Sequence, residues 1–199
     1  MNNVVFEEAT HTYIVDGVEL PSVTHICRFL HYDTAVNAKP WLRDVAADRG
    51  TRIHAYTAML DYGEPLGDED IDMDCLGYVK AYRRFLEDYK PQWDGIETVL
   101  GSTKLGYAGT VDRYGKIGKD SVVLDIKTGS SVNRIAVNSQ LWGYENLLEE
   151  KSFEADLSFV LLLRKDGTYV LKDLTAEHAF FDYCLEMHQT LSQKGMRIR

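Results

Sequence analysis

Apolar and polar residues alternate over residues 3–8 and again over 12–16, and Asp16-Gly17 is a turn signal. That period of two predicts that the chain opens as a small hairpin or meander. Pro21-Ser22-Val23-Thr24 then reads as a helix start, with Ser22 as N-cap of a short helix through Leu30. Pro40 suits the first turn of a longer helix reaching about Asp61. The acidic stretch 67–74 is a loop that runs into a third helix over about 72–88, which Pro91 terminates.

Beyond Pro91 the period changes. Residues 96–101, 107–114 and 121–127 predict three strands in a meander, followed by a helix over about 132–148. Residues 157–164 and 168–173 form a second hairpin around Lys165-Asp166-Gly167, and 175–193 closes as an amphipathic helix. This order predicts an α/β protein with a central mixed β-sheet flanked by helices, preceded by an N-terminal hairpin and a helical extension. One domain is expected over 1–199: an N-terminal hairpin and helices over 1–90, a core over 95–175, and a C-terminal helix over 175–193.

Composition adds limits. A chain of 199 residues with 45% hydrophobic and 11% aromatic residues can bury a substantial core and is not disordered. No apolar run approaches the ~20 residues of a membrane helix, and the start Met-Asn-Asn-Val-Val-Phe lacks a signal peptide's basic and apolar regions. Cys27, Cys75 and Cys184 are odd in number and lack CxxC spacing, so reduced thiols and a cytoplasmic location are expected. The net charge of −9 does not exclude a nucleic-acid partner, because exposed charges are screened over about 8 Å at physiological salt.

The chemistry concentrates between Gly106 and Tyr144. Acid-x-Lys occurs three times, at Asp88-Tyr-Lys90, Asp125-Ile-Lys127 and Glu149-Glu-Lys151. The outer two fall at predicted helix ends, where a solvated ion pair suffices. Only the middle one ends an apolar strand, and only it follows a strand carrying Asp112. By alternation, Val122, Leu124 and Ile126 point to the core and Val123, Asp125 and Lys127 to the other side. Carboxylates on adjacent strands can converge on a hard cation, which activates water and polarises a phosphoryl oxygen while Lys127 steadies developing charge. An ordinary surface ion pair between Lys127 and Asp112 or Asp125 accounts for these three residues equally well. Glu97, one strand earlier, fits either a further ligand or a solvent-facing residue. His54, alone in its helix, fits a structural histidine better than a ligand. Gln140 and Tyr144 lie one helical turn apart and face one way.

Taken together, Gly50-Thr-x-x-His54, Glu97, Gly109-Thr-Val-Asp112, Asp125-Ile-Lys127 and Gln140-x-x-x-Tyr144 resemble the PD-(D/E)XK nuclease superfamily, nearest its RecB-like branch with the phage-type exonucleases. The match spans about Gly50 to Tyr144, in the family's order and spacing. The opening His11-Thr-Tyr-x-Val-Asp-Gly-x-x-x-Pro-Ser-Val-Thr24 is similar to phage-associated members, without carrying chemistry. The resemblance implies a restriction-endonuclease-like core and a Mg2+- or Mn2+-dependent DNA exonuclease, in phage or bacterial recombination or repair. It implies His54, Glu97, Asp112, Asp125 and the Ile126 carbonyl as metal ligands, Lys127 as the catalytic lysine, and Gln140 and Tyr144 as the helix motif beside them. Valine rather than proline precedes Asp112, which changes no chemistry. Three wrongly spaced cysteines exclude the iron–sulfur cluster of one branch.

For DNA, Arg49, Arg52 and Tyr56 share a predicted helix face, with Arg43 nearby, and Arg113, Lys116, Lys119 and Arg134 are expected around the site. Each is equally well a solvated surface charge. Trp41 and Trp142 are able to stack on bases but read first as core. The alternatives to the exonuclease are a structure-selective or single-strand endonuclease, a catalytically silent DNA-binding module of the same fold, and an unrelated α/β protein. A recombination or single-strand-annealing partner and self-association are both compatible with the sequence.

Overall fold

The computed structural model describes residues 3–31, 40–129, 131–174 and 179–195. Two sheets carry the molecule. Strands β1 (Val4–Glu7), β2 (Thr12–Val15) and β3 (Val18–Leu20) form an antiparallel meander. Strands β4 (Gln92–Ser102), β5 (Tyr107–Ile117), β6 (Asp120–Lys127), β7 (Leu157–Leu163) and β8 (Tyr169–Asp173) form a five-stranded sheet in that order. Only the β6–β7 pair is parallel, so the sheet is mixed. The protein is α/β, as the alternation of patterns predicts.

The helices are α1 (Val23–Ile26), α2 (Pro40–Asp61), α3 (Leu76–Tyr89), α4 (Arg134–Glu149) and α5 (Ala179–Gln193). Ser22 caps α1, its Oγ accepting from the His25 amide at 3.0 Å, but the chain tightens into a 3-10 turn over Cys27–His31. Asn133 caps α4 by accepting from the Ala136 amide at 3.1 Å. Helix α3 begins four residues later than the expected 72, after Cys75, which offers no side-chain cap. It ends at Lys90 in the left-handed conformation, just before Pro91. Strand β4 starts four residues earlier than 96, because Gln92 and Trp93 pair with Lys116 and Gly115 across a bulge. The expected helical residues 175–178 lie outside the described residues.

The large sheet is buried on both faces. On one, Val111, Val123 and Val160 pack with α1, α4 and α5 through Val23, Leu141, Leu148 and Phe181. On the other, Leu124, Ile126 and Leu161 pack with α2 and α3 through Ile53, Val79, Tyr82 and Phe85. The small sheet covers one end of β4 and β5, with Tyr13, Val15 and Ala108 at its centre. Parallel pairing of β6 with β7 requires a crossover, and α4 supplies it. Its placement lays Gln140 and Tyr144 over the end of β6.

Candidate active site

Asp112, Asp125 and Lys127 come together as the strand order requires, and α2 brings His54 to them across the sheet. The group His54, Glu97 and Asp112 offers one donor atom each within 4.8 Å of one another. His54 Nδ1 lies 3.0 Å from Glu97 Oε1 and 3.7 Å from Asp112 Oδ1, while Nε2 faces the Ile126 carbonyl at 3.3 Å. Four of the five ligands implied by the family resemblance therefore come together, three of them around the His54 imidazole. Burial alone would lower the His54 pKa, but the Asp112 and Glu97 carboxylates outweigh it and push it up to about 9. As an imidazolium, His54 donates to Glu97 and to the Ile126 carbonyl.

Asp112 is aimed by the backbone, its Oδ2 accepting from the Ile126 amide at 2.7 Å. Its burial, with Asp125 and Glu97 nearby, raises its pKa to about 6 against the pull of His54. Asp125 stands outside the three-residue group. Its Oδ1 accepts from Lys127 Nζ at 2.8 Å, and its buried Oδ2 has no hydrogen-bond partner. Lys127 Nζ also donates to Gln140 Oε1 at 3.3 Å, and Gln140 Nε2 donates to the Tyr144 hydroxyl at 2.9 Å. Burial works against the Lys127 charge, yet Asp125 and Asp112 hold its pKa above the ordinary value. The Tyr144 ring fills the space over β5 that a side chain at 109 would need: a Cβ on Gly109 would lie 2.8 Å from Tyr144 Cε1.

Glu97 has φ of +44° inside a strand, a left-handed conformation that is costly for a residue with a Cβ. It sits between Ile96, paired with Arg113, and Thr98, paired with Val111. What holds it there is Arg113, whose Nη1 donates to Glu97 Oε1 at 2.8 Å.

Arg113 departs most from expectation. Expected to meet DNA, it is fully buried, because β5 is flanked by β4 and β6 and covered by α2 and α3. Its Nε donates to Asp61 at 2.5 Å, Nη1 also to the Asp112 carbonyl at 2.6 Å, and Nη2 to Thr57 Oγ1 at 3.0 Å. Asp61 also accepts from the Tyr82 hydroxyl at 2.6 Å and Trp93 Nε1 at 3.1 Å. Arg113 positions two members of the site from behind and touches no solvent.

Arg52 is likewise committed, bonded to Asp48, Asp72 and Asp74 at 2.6–3.0 Å, so it is not a free phosphate contact. Tyr56 joins the same network through Asp72. Lys116 and Lys119 flank the β5–β6 turn, at the opposite end of β6 from Lys127 and roughly 20 Å away at ~3.3 Å per residue. Arg134 is exposed at the start of α4, and Arg49 is half-buried near the end of β6. Trp41 is 59% exposed rather than core. Val123 packs with α4, so the side of β6 that carries Asp125 and Lys127 is interior as well.

No known family model and no curated protein matches the chain. Among solved structures, one titled "Crystal structure of SSO0001" is similar at 18% identity and a TM-score of 0.39, over 61% of this chain and 59% of that one. The chain thus spans less than two thirds of that protein's length, and a likeness of this degree decides nothing about function.

Proposed function

We propose that this chain is a nuclease of the PD-(D/E)XK type, a Mg2+- or Mn2+-dependent deoxyribonuclease acting as an exonuclease. The observation that supports this best is the convergence of His54, Glu97, Asp112 and the Ile126 carbonyl from α2, β4, β5 and β6, with Asp125 and Lys127 beside them. Two carboxylates, one imidazole and one carbonyl suit a hard or borderline divalent cation. Bound there, the ion would lower the pKa of a water and polarise the phosphoryl oxygen.

The chain's own residues do the rest. Glu97 and Asp112 are pre-aimed by Arg113 and by the Ile126 amide, so little reorganisation is required of them. His54 would hold the ion as the neutral imidazole, its proton released. Lys127, fixed between Asp125 and Gln140, carries a full charge and serves as a cation: it donates to the oxygens that gain charge as water adds to phosphorus. Preference for free ends, and a place in recombination or repair, rest on the resemblance to the phage-type branch.

The test is cleavage of matched linear and covalently closed circular DNA with Mg2+, Mn2+ or EDTA, by wild type and by Lys127→Met verified as folded. Metal-dependent loss of linear DNA alone, absent in the variant, is the expected result. Cutting of both forms would replace the exonuclease with an endonuclease, and cleavage in EDTA would remove the metal from the proposal.

A further inference from the structure

We propose that the cavity just beyond the end of β6 is a phosphate-binding subsite that grips the DNA strand beside the reacting phosphate. It has a volume of about 360 Å3 and is lined by Arg49, Tyr78, Thr128, Gly129, Arg164 and Lys165. That lies at the lower end of ligand clefts, roughly 300–1,000 Å3. The inference rests on the nuclease reading above and adds Arg164 and Lys165, which no motif suggested.

Topology places the cavity there. Strands β6 and β7 run parallel, with Lys127 paired to Leu162, so their carboxyl ends open on the same side. The chain leaves β6 through Thr128-Gly129 and β7 through Arg164-Lys165, one to three residues beyond these paired positions. Ligands of open α/β sheets gather at the carboxyl ends of strands. Thr128 follows Lys127 in the chain, so the cavity lies at the same end of β6 as the lysine. Helix α2 closes the third side. Gly50 faces Thr128 there: a Cβ on it would lie in ordinary contact with Thr128 Oγ1, at 3.8 Å.

The cations of this cavity differ from those committed elsewhere. Arg52, Arg83 and Arg113 are each bonded to carboxylates, whereas Arg49, Arg164 and Lys165 form no ion pair among the described residues. Arg49 Nε is buried with no hydrogen-bond partner, a costly state that an incoming oxygen would relieve. Its guanidinium lies 5.5 Å from the centroid of the buried Tyr78 ring, which orients it. Asp166 also lines the cavity and feels the charge of Arg164, and its Oδ1 accepts from the Thr168 amide and hydroxyl, at 3.0 and 2.6 Å. Planar guanidinium groups recognise phosphate through two parallel hydrogen bonds.

Inorganic phosphate is the first probe, titrated by NMR into the EDTA-treated full chain so that the metal centre and cleavage play no part. Wild type is expected to show saturable shifts at Thr128, Gly129 and Lys165. Arg49→Met and the double variant Arg164→Ala/Lys165→Ala should each weaken binding by about 10-fold or more. A 20-residue single strand, unphosphorylated or phosphorylated at the 5′ or the 3′ end, then separates the sources. A preference for one phosphorylated end, lost in the variants, assigns a terminal phosphate. Equal affinities, all weakened by the variants with a salt slope reduced by about 1, assign an internal one. No phosphate binding by wild type, or binding unaltered in folded variants, overturns the subsite. Phosphate binding without any cleavage of DNA would leave the subsite standing and count against the nuclease.

Discussion

Arg113 reaches Glu97 from the interior, Nη1 to Oε1 at 2.8 Å, and that same oxygen lies 3.0 Å from His54 Nδ1. A buried cation thus sets the carboxylate of a candidate metal ligand that sits in left-handed backbone. The strain at Glu97 is maintained because Arg113 is itself fixed by Asp61, Thr57 and the Asp112 carbonyl.

Truncating Arg113 leaves Asp61 buried with no cationic partner. Removing one member of a fully buried pair costs about 3–5 kcal/mol, and both side chains are essentially inaccessible. At about 2–4 °C per kcal/mol for a chain of this size, Arg113→Met should lower Tm by roughly 6–20 °C and weaken Mn2+ binding with it. A melting curve unchanged within 2 °C would contradict the role given to this pair.

Lys127 links chemistry to stability. With 30% of its side chain exposed, it is, among the described residues, the only hydrogen-bond partner of a carboxylate that is 1% exposed and whose second oxygen has none. Lys127→Met should abolish cleavage and also cost about 1–3 kcal/mol, discounted for that exposure. Adding Asp125→Asn should restore much of the stability without restoring activity. If the double variant is no more stable than the single one, the coupling is refuted.

The proton load gives a pH signature. The folded His54 pKa, about 9, lies above its ordinary 6.5, so its contribution to stability is complete below pH 6.5 and is lost as pH rises through 9. The Asp112 pKa, raised to about 6, acts in the same direction from pH 4 upward. In EDTA, Tm should therefore fall from pH 6.5 to 9, and His54→Gln should flatten the fall. Mn2+ affinity should rise over the same interval as the competing proton leaves. Affinity independent of pH between 6 and 9 would speak against His54 as a ligand.

Gly109→Ala tests the helix motif without substituting either of its residues. The new methyl would meet Tyr144 Cε1 at 2.8 Å and Val23 Cγ2 at 3.3 Å. Overpacking of this kind costs about 1–3 kcal/mol, and displacing Tyr144 should loosen Gln140 and lower cleavage. Full activity in a folded Gly109→Ala protein would show that the Gln140–Tyr144 contact is dispensable.

What the sequence reveals here follows from the range of its signals. The α/β class, the crossover helix and the placement of Asp112, Asp125 and Lys127 depend on local period and strand order, and both were legible. Arg113 was not, because its burial depends on Asp61, 52 residues away, and on β5 lying inside the sheet. A charged pair, Asp112-Arg113, in a strand whose other residues from Tyr107 to Gly115 are uncharged was the available sign that both look inward. Arg52 misled for the opposite reason: the acidic loop that neutralises it is 20 residues on, and its folding back is not a periodic feature. The late start of α3 has the same origin, since Asp72 and Asp74 face Arg52 instead of entering the helix.

The account depends first on a metal centre at His54, Glu97 and Asp112. Calorimetric titration of Mn2+ at pH 8 into wild type, Glu97→Gln and Asp112→Asn tests it most directly. Saturable binding by wild type, weakened at least 10-fold in both variants with the fold retained by circular dichroism, is the predicted result. No binding by wild type, or equal affinity in all three proteins, would contradict it.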